Sequence, residues 1–276
     1  MFNKIIRPEN MEYLLNTIAD FDDYYIVAGG TDILVRLKAG MLEDFPLIDI
    51  SKIQSLSKII KEGEKIYIGS GITHQEIVDS SLIGEYFPCL SQACRTVGSL
   101  QIRNVATLAG NIANSSPAGD SIPALLCCNA SLKILSNKGE RIVFLKDFFI
   151  APGKNILKHG EIISEIIIPA EKGKGIFLKN AQRKALAISK VSMAARRTEN
   201  KFSFALGAVY KVPILAEKTM EYINSLNNID DLEIKEAKKI ILNECSPIDD
   251  IRSTNEYRQE IVGYFLEKAI KELTEI

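Results

Sequence analysis

Hydrophobic positions along this chain change their period several times, and each change marks an element. Over residues 9–19 the apolar positions Met11, Leu14, Leu15 and Ile18 recur at helical spacing. A short apolar run at 24–28 predicts a buried strand, 32–38 predicts a helix stopped by Gly40, and 46–50 predicts a second strand. Strand–helix–strand order suggests a small α/β unit. From Ser57 the pattern turns to hairpins. Apolar pairs at 59–60 and 66–68 flank Lys61-Glu62-Gly63-Glu64, and those at 132–135 and 142–144 flank Asn137-Lys138-Gly139-Glu140. Between the hairpins, 88–97 and 122–128 predict helices. Lys172-Gly173-Lys174-Gly175 predicts a linker. Beyond it come strands over 175–179, 190–196 and 202–210, the last two joined by 197–201, and then helices over 216–226, 234–243 and 255–272. The expected fold class is α+β. A two-part first domain covers 1–171, with a small α/β unit to about 56 and a mixed α+β unit over 57–171. A second domain over 172–276 combines an antiparallel sheet with three helices.

Composition narrows the classes. The chain has 276 residues, of which 46% are hydrophobic and 25% charged, the balance of a globular protein with a substantial core. A formal net charge of −1 gives no electrostatic reason to expect nucleic acid or an anionic membrane as partner. No apolar run reaches the roughly eighteen residues of a membrane span. The segment 1–8 lacks the apolar core and cleavage site of a signal peptide, so a cytoplasmic protein is expected. The five cysteines, Cys89, Cys94, Cys127, Cys128 and Cys245, follow no metal spacing, and neither a disulfide framework nor a metal site is expected. Cys127 and Cys128 fall in an apolar run, where thiols act as small hydrophobes. Of the two histidines, His74 and His159, the first falls in the first turn of a helix capped by Thr73, with a solvated or capping role expected. No Ser–His–Asp or Cys–His constellation is suggested. The charge pairs Glu236/Lys239 and Glu267/Lys271 read as solvated helix faces.

Two glycine-rich stretches about eighty residues apart carry the candidate chemistry. One is Val27-Ala28-Gly29-Gly30-Thr31-Asp32. The other is Gln101-Ile102-Arg103-Asn104-Val105-Ala106-Thr107-Leu108-Ala109-Gly110-Asn111, continuing to Ser115-Ser116-Pro117-Ala118-Gly119-Asp120. Glycine admits positive φ and lets backbone N–H groups approach a phosphate. In the first stretch a strand feeds a helix whose cap is Thr31-Asp32, an order that aims N–H groups at an anion. In the second, Thr107, Asn111, Ser115 and Ser116 offer uncharged hydrogen bonds to a nucleotide. A diphosphate held from two sides is the expectation. Neither a P-loop nor a Gly-x-Gly-x-x-Gly fingerprint is present.

Together the stretches resemble the flavin-binding subunit of the xanthine dehydrogenase and carbon monoxide dehydrogenase family of molybdenum hydroxylases. That family pairs an Ala-Gly-Gly-Thr-Asp-like loop with Gln-Ile-Arg-Asn, Thr-Ile-Gly-Gly-Asn and Ala-Ser-Pro-x-x-Asp. The likeness extends to Lys179-Asn180-Ala181-Gln182-Arg183 and to Ser246-Pro247-Ile248-Asp249-Asp250-Ile251-Arg252-Ser253-Thr254, with Tyr257-Arg258 beyond. The resemblance implies that the first domain is FAD-binding and that FAD carries the redox chemistry. It implies as partners an iron–sulfur small subunit and a molybdopterin-binding large subunit, with an acceptor such as NAD taking the electrons. Residue by residue, it places Val27, Ala28, Gly29, Gly30, Thr31 and Asp32 at the diphosphate and the adjoining part of FAD. Thr107, Ala109, Gly110, Asn111 and Asp120 fall on the other side, Ile163 against the isoalloxazine ring and Lys179 near its polar edge. Asp120 reads equally as a helix N-cap, Ile163 as an ordinary strand residue, and Arg103 either as a phosphate partner or as a brace for its loop. Two alternatives stand beside this reading: a degenerate relative serving as a scaffold subunit without FAD, and a stand-alone flavin oxidase or reductase. One departure concerns Thr107-Leu108-Ala109-Gly110-Asn111, where Ala109 replaces the family's first glycine. Ala109 is expected to adopt negative φ and leave FAD binding intact.

Overall fold

A computed structural model describes residues 4–183, 186–199 and 201–274. The reading of segment 1–8 at Met1, Phe2 and Asn3, and Asn200 in the connection over 197–201, fall outside them. The amino-terminal unit contains β1 (Ile5–Ile6), α1 (Met11–Asp20), β2 (Tyr25–Val27), α2 (Ile33–Lys38) and β3 (Leu47–Asp49). Asn10 caps α1, its side chain accepting the Tyr13 N–H at 2.8 Å, and the helix buries Leu14 and Ile18. The three strands pair in parallel in the order β1-β3-β2.

The second unit begins with β4 (Ile59–Glu62) and β5 (Lys65–Gly69). There follow α3 (His74–Asp79), α4 (Ser81–Tyr86), α5 (Pro88–Arg95), α6 (Leu100–Arg103), α7 (Leu108–Asn114) and α8 (Ser121–Cys127). It ends with β6 (Ser131–Ser136), β7 (Gly139–Phe144), β8 (Phe149–Ala151), β9 (Lys154–Asn155) and β10 (Ile162–Pro169). The expected hairpins β4–β5 and β6–β7 form, and β10 inserts between them, giving an antiparallel sheet ordered β4-β5-β10-β6-β7. As the central strand, β10 buries both faces over Ile166, Ile167 and Ile168. Helix α8 is buried along its whole length, and beyond Ser121 it is apolar on every face. The short helices α4, α6 and α7 were not expected, because one or two turns offer too few apolar positions to mark a period.

The carboxyl-terminal part contains β11 (Lys174–Ala181), β12 (Ser189–Arg197), β13 (Phe202–Gly207), β14 (Ile214–Leu215), α9 (Glu217–Ser225), α10 (Asp231–Glu244) and α11 (Asn255–Thr274). Its antiparallel sheet runs β11-β12-β13-β14. Strand β13 stops earlier than expected because Ala208 turns to φ 63°. The sheet is covered on both faces by strict alternation. Ile176, Val191, Met193, Ala195, Phe204 and Leu206 pack with α9–α11, whereas Phe177, Ala194 and Ala205 join the core of the second unit. One hydrophobic core therefore crosses residue 173, and another belongs to the carboxyl-terminal part alone. A third, between the amino-terminal unit and the rest, includes Ile48, Ile50 and Ile162. Among the described residues no helix is long and apolar enough to cross a membrane.

Candidate functional site

The two glycine-rich stretches lie against each other. A methyl group on Gly29 would stand 1.8 Å from the Val105 carbonyl oxygen, so only glycine lets the first stretch rest on the second. Gly30 takes φ +71°, which turns the chain from β2 into α2. Asn114 Nδ2 then donates to Asp32 Oδ2 at 3.2 Å, tying α7 to the start of α2. The expected capping bond from Asp32 does not form. Instead, the backbone N–H groups from Gly29 to Ile33 have no acceptor among the described residues, a row of donors of the kind that cradles phosphate.

The second stretch is fixed by paired helix starts. Thr73 and Thr107, the caps of α3 and α7, form an antiparallel bridge; the His74 N–H donates to Ala106 O at 2.9 Å and the Leu108 N–H to Ile72 O at 3.0 Å. Thr73 and Glu76 close a capping box, and the Thr107 hydroxyl accepts the Gly110 N–H at 3.0 Å. Asn111 Oδ1 accepts from Ser121 Oγ at 2.7 Å. Ser115 and Ser116, expected to offer hydroxyls outward, turn theirs to their own loop: Ser115 Oγ donates to Ile112 O, and Ser116 Oγ accepts the Ala118 N–H. Arg103 braces its loop, donating to Gln75 Oε1 and Val97 O.

Between the amino-terminal and second units opens a cleft of about 520 Å³. Ala28, Gly29, Gly30, Thr31, Asp32, Thr107, Ala109, Gly110, Asn111 and Ile163 line it, so the structure brings ten of the expected residues to one place. Ala109 lies inside α7, outside the positive-φ residues, and is 5% exposed. Val27, Asp120 and Lys179 do not line the cleft. Asp120 makes no capping bond; its carboxylate is buried in an ion pair with Lys179 Nζ at 2.6 Å, with Ser189 Oγ donating at 2.5 Å and Thr96 Oγ1 at 3.4 Å. Burial pushes the Asp120 carboxyl up, against the opposing pull of Lys179 and the two hydroxyls. This pair joins α8 to β11 and β12, so neither a helix cap nor an exposed strand lysine describes these residues.

His74 is also corrected. It is 1% exposed, its Nδ1 meets Cys94 Sγ at 3.3 Å, and it lines the cleft rather than facing solvent. Burial, aided by the positive charge of Arg103, pulls its pKa down to about 4, so the ring is neutral at physiological pH. Arg36, Ser70 and Asn114 line the cleft as well and were missed by sequence reasoning. Only Arg36 left a signal, as a cation six residues past the glycine pair. A donor row, the cation Arg36 and the apolar Ile50, Ile162 and Ile163 line the one cleft, a combination that fits a molecule carrying both a diphosphate and an apolar ring. Among the described residues no group of three or more His, Cys, Asp or Glu side chains is placed to hold a metal.

Comparison with known proteins bears on both parts of the chain. Residues 1–171 match the family model described as the FAD binding domain in molybdopterin dehydrogenase, and 176–273 match the carbon monoxide dehydrogenase flavoprotein C-terminal domain. The xanthine dehydrogenase FAD-binding subunit of Escherichia coli O157:H7 is 31% identical, over 96% of this chain and 94% of that protein. The glyceraldehyde dehydrogenase medium chain of Sulfolobus acidocaldarius is 27% identical over 97% of each. The solved reconstituted CO dehydrogenase from Oligotropha carboxidovorans superimposes with a TM-score of 0.92 at 22% identity, covering 98% of this chain and 96% of that one, a likeness of fold.

Proposed function

Because this chain belongs to the FAD-binding medium subunits of the molybdenum hydroxylase family, we propose that it passes electrons from the iron–sulfur clusters of a small partner subunit, through FAD, to an acceptor such as NAD. Oxidation of the organic substrate then belongs to a molybdopterin-binding large subunit, and the assembly works in the cytoplasm. The observation that carries this reading is the meeting of the two glycine-rich stretches at one cleft, with the N–H row from Gly29 to Ile33 facing no acceptor among the described residues. Bound FAD supplies the conversion between one-electron and two-electron transfer.

The chain's residues supply position. Gly29, Gly30, Thr31 and Asp32, with Arg36, hold the diphosphate; Thr107, Ala109, Gly110 and Asn111 close the opposite side through α7; Ile163 offers an apolar surface to the ring. Asp120 and Lys179 stand behind the cleft and fix α8 against the carboxyl-terminal sheet.

Coexpression with the neighbouring small and large subunits, followed by purification and anaerobic addition of NADH, tests the reading. The expected result is a complex with one FAD per chain whose flavin band bleaches on NADH and whose cluster absorbance follows. A folded chain that takes up no FAD would support the scaffold alternative. FAD reduction by an organic substrate in the isolated chain would favour the stand-alone oxidase.

A further inference from the structure

Two polar side chains on the cleft wall have unmet hydrogen-bonding capacity. Ser70 Oγ, at the end of β5, is buried and has no partner. His74, four residues on, spends Nδ1 on Cys94, while its Nε2 has no partner among the described residues. A buried polar atom without a partner, as Ser70 Oγ is, is rare in native proteins because it costs its desolvation outright. His74 Nε2, which no group among the described residues engages, is free to bond what enters the cleft. Their shared place on a ligand-sized cleft supplies the missing partner.

Resting on the reading that this cleft holds FAD, we infer that His74 is a cofactor-positioning donor, its Nε2–H directed at an acceptor atom of the flavin nucleotide, with Cys94 setting the tautomer. A neutral imidazole carries one N–H and one acceptor nitrogen. Burial and the charge of Asp120 push the Cys94 thiol up, so it keeps a proton that it can donate to Nδ1. With Cys94 donating to Nδ1, the ring proton resides on Nε2. The imidazole N–H is a donor that carries no charge, and it leaves the electron count of the ring unaltered. Cys94 from α5 and Arg103 from α6 act on the imidazole, while the Ala106 carbonyl accepts the His74 backbone N–H. Ser70 supplies a second, shorter-reaching donor to the same ligand.

The chain contains two histidines, so nitrogen-15 spectra of histidine-labelled protein, compared with those of the His74→Gln chain, assign the His74 signals. The expected result for wild-type chain at neutral pH is a protonated His74 Nε2 that shifts when FAD is added. FAD titration followed by flavin fluorescence extends the test. His74→Asn, which lacks a donor at the Nε2 position, should bind roughly tenfold more weakly, and His74→Gln, which restores one, should recover to within about threefold. The inference is overturned if wild-type chain binds FAD while Nε2 is unprotonated or unmoved, or if His74→Asn binds as tightly as wild type. Wild-type chain that binds no FAD would remove the flavin reading itself, and this inference with it.

Discussion

At the scale of the residue, burial decides what each polar group of the cleft can do. His74 carries the usual histidine pKa of 6.5 in the unfolded chain and about 4 in the folded one. Below pH 6.5 the unfolded state binds a proton that the folded state refuses, so stability should fall as pH drops from about 6.5 to about 4 and level off below. Above 6.5 the contribution is fully present. The size is on the order of 3 kcal/mol. Urea denaturation of apo chain at pH 7, 6 and 5 checks this, with His74→Gln as reference: the difference between the two proteins should grow steadily more unfavourable to wild type as pH falls. A pH-independent difference would show that the imidazole titrates as in solution. Gly29 illustrates the same scale by sterics, since its missing Cβ is what allows the two loops to touch.

The helix α7 shows how an element absorbs a departure from family pattern. Ala109 stands in its first turn, where φ is negative, so the methyl meets no backbone penalty. Replacing it with Gly should lower chain stability by about 0.5–1 kcal/mol, because glycine surrenders more backbone entropy in a helix. FAD affinity should improve by less than about threefold, read by fluorescence titration. A hundredfold gain would mean that the methyl obstructs the cofactor and that the cleft of this chain is impaired. This element also marks the limit of what the sequence makes legible. Strands β5, β6 and β12 and the last three helices show in hydrophobic period, and the glycine stretches show in composition. Helices α4, α6 and α7 are too short to show a period and are held by caps such as Thr107 and by packing. Ser70, His74 and Asn114 reach the cleft only because α3 and α7 begin side by side, a pairing across more than thirty residues that no local pattern encodes. The pairing of Asp120 with Lys179, fifty-nine residues apart, is equally invisible to period or propensity.

On the scale of the whole molecule, the carboxyl-terminal sheet is clamped between two cores, and the Asp120–Lys179 pair marks the seam. The Lys179 side chain is 14% exposed and that of Asp120 7%. Removing one partner strands the other charge in a dry place, so Lys179→Met should cost about 3–5 kcal/mol in urea denaturation. The double variant Asp120→Asn/Lys179→Met should recover most of it, since an amide still bonds Ser189 and Thr96. A single variant costing less than about 1 kcal/mol would show that water reaches the pair. The placement of β10 has a different consequence, one of timing. This strand fills the middle of its sheet yet leaves the ribosome last of the five, about a hundred residues after its neighbour β5. Until it arrives, β5 and β6 present bare edges, and Ile162 and Ile163 have not yet joined the core and the cleft. Synthesis of the first 160 residues therefore yields two hairpins searching for one strand, a period in which another nascent chain can supply the missing edge.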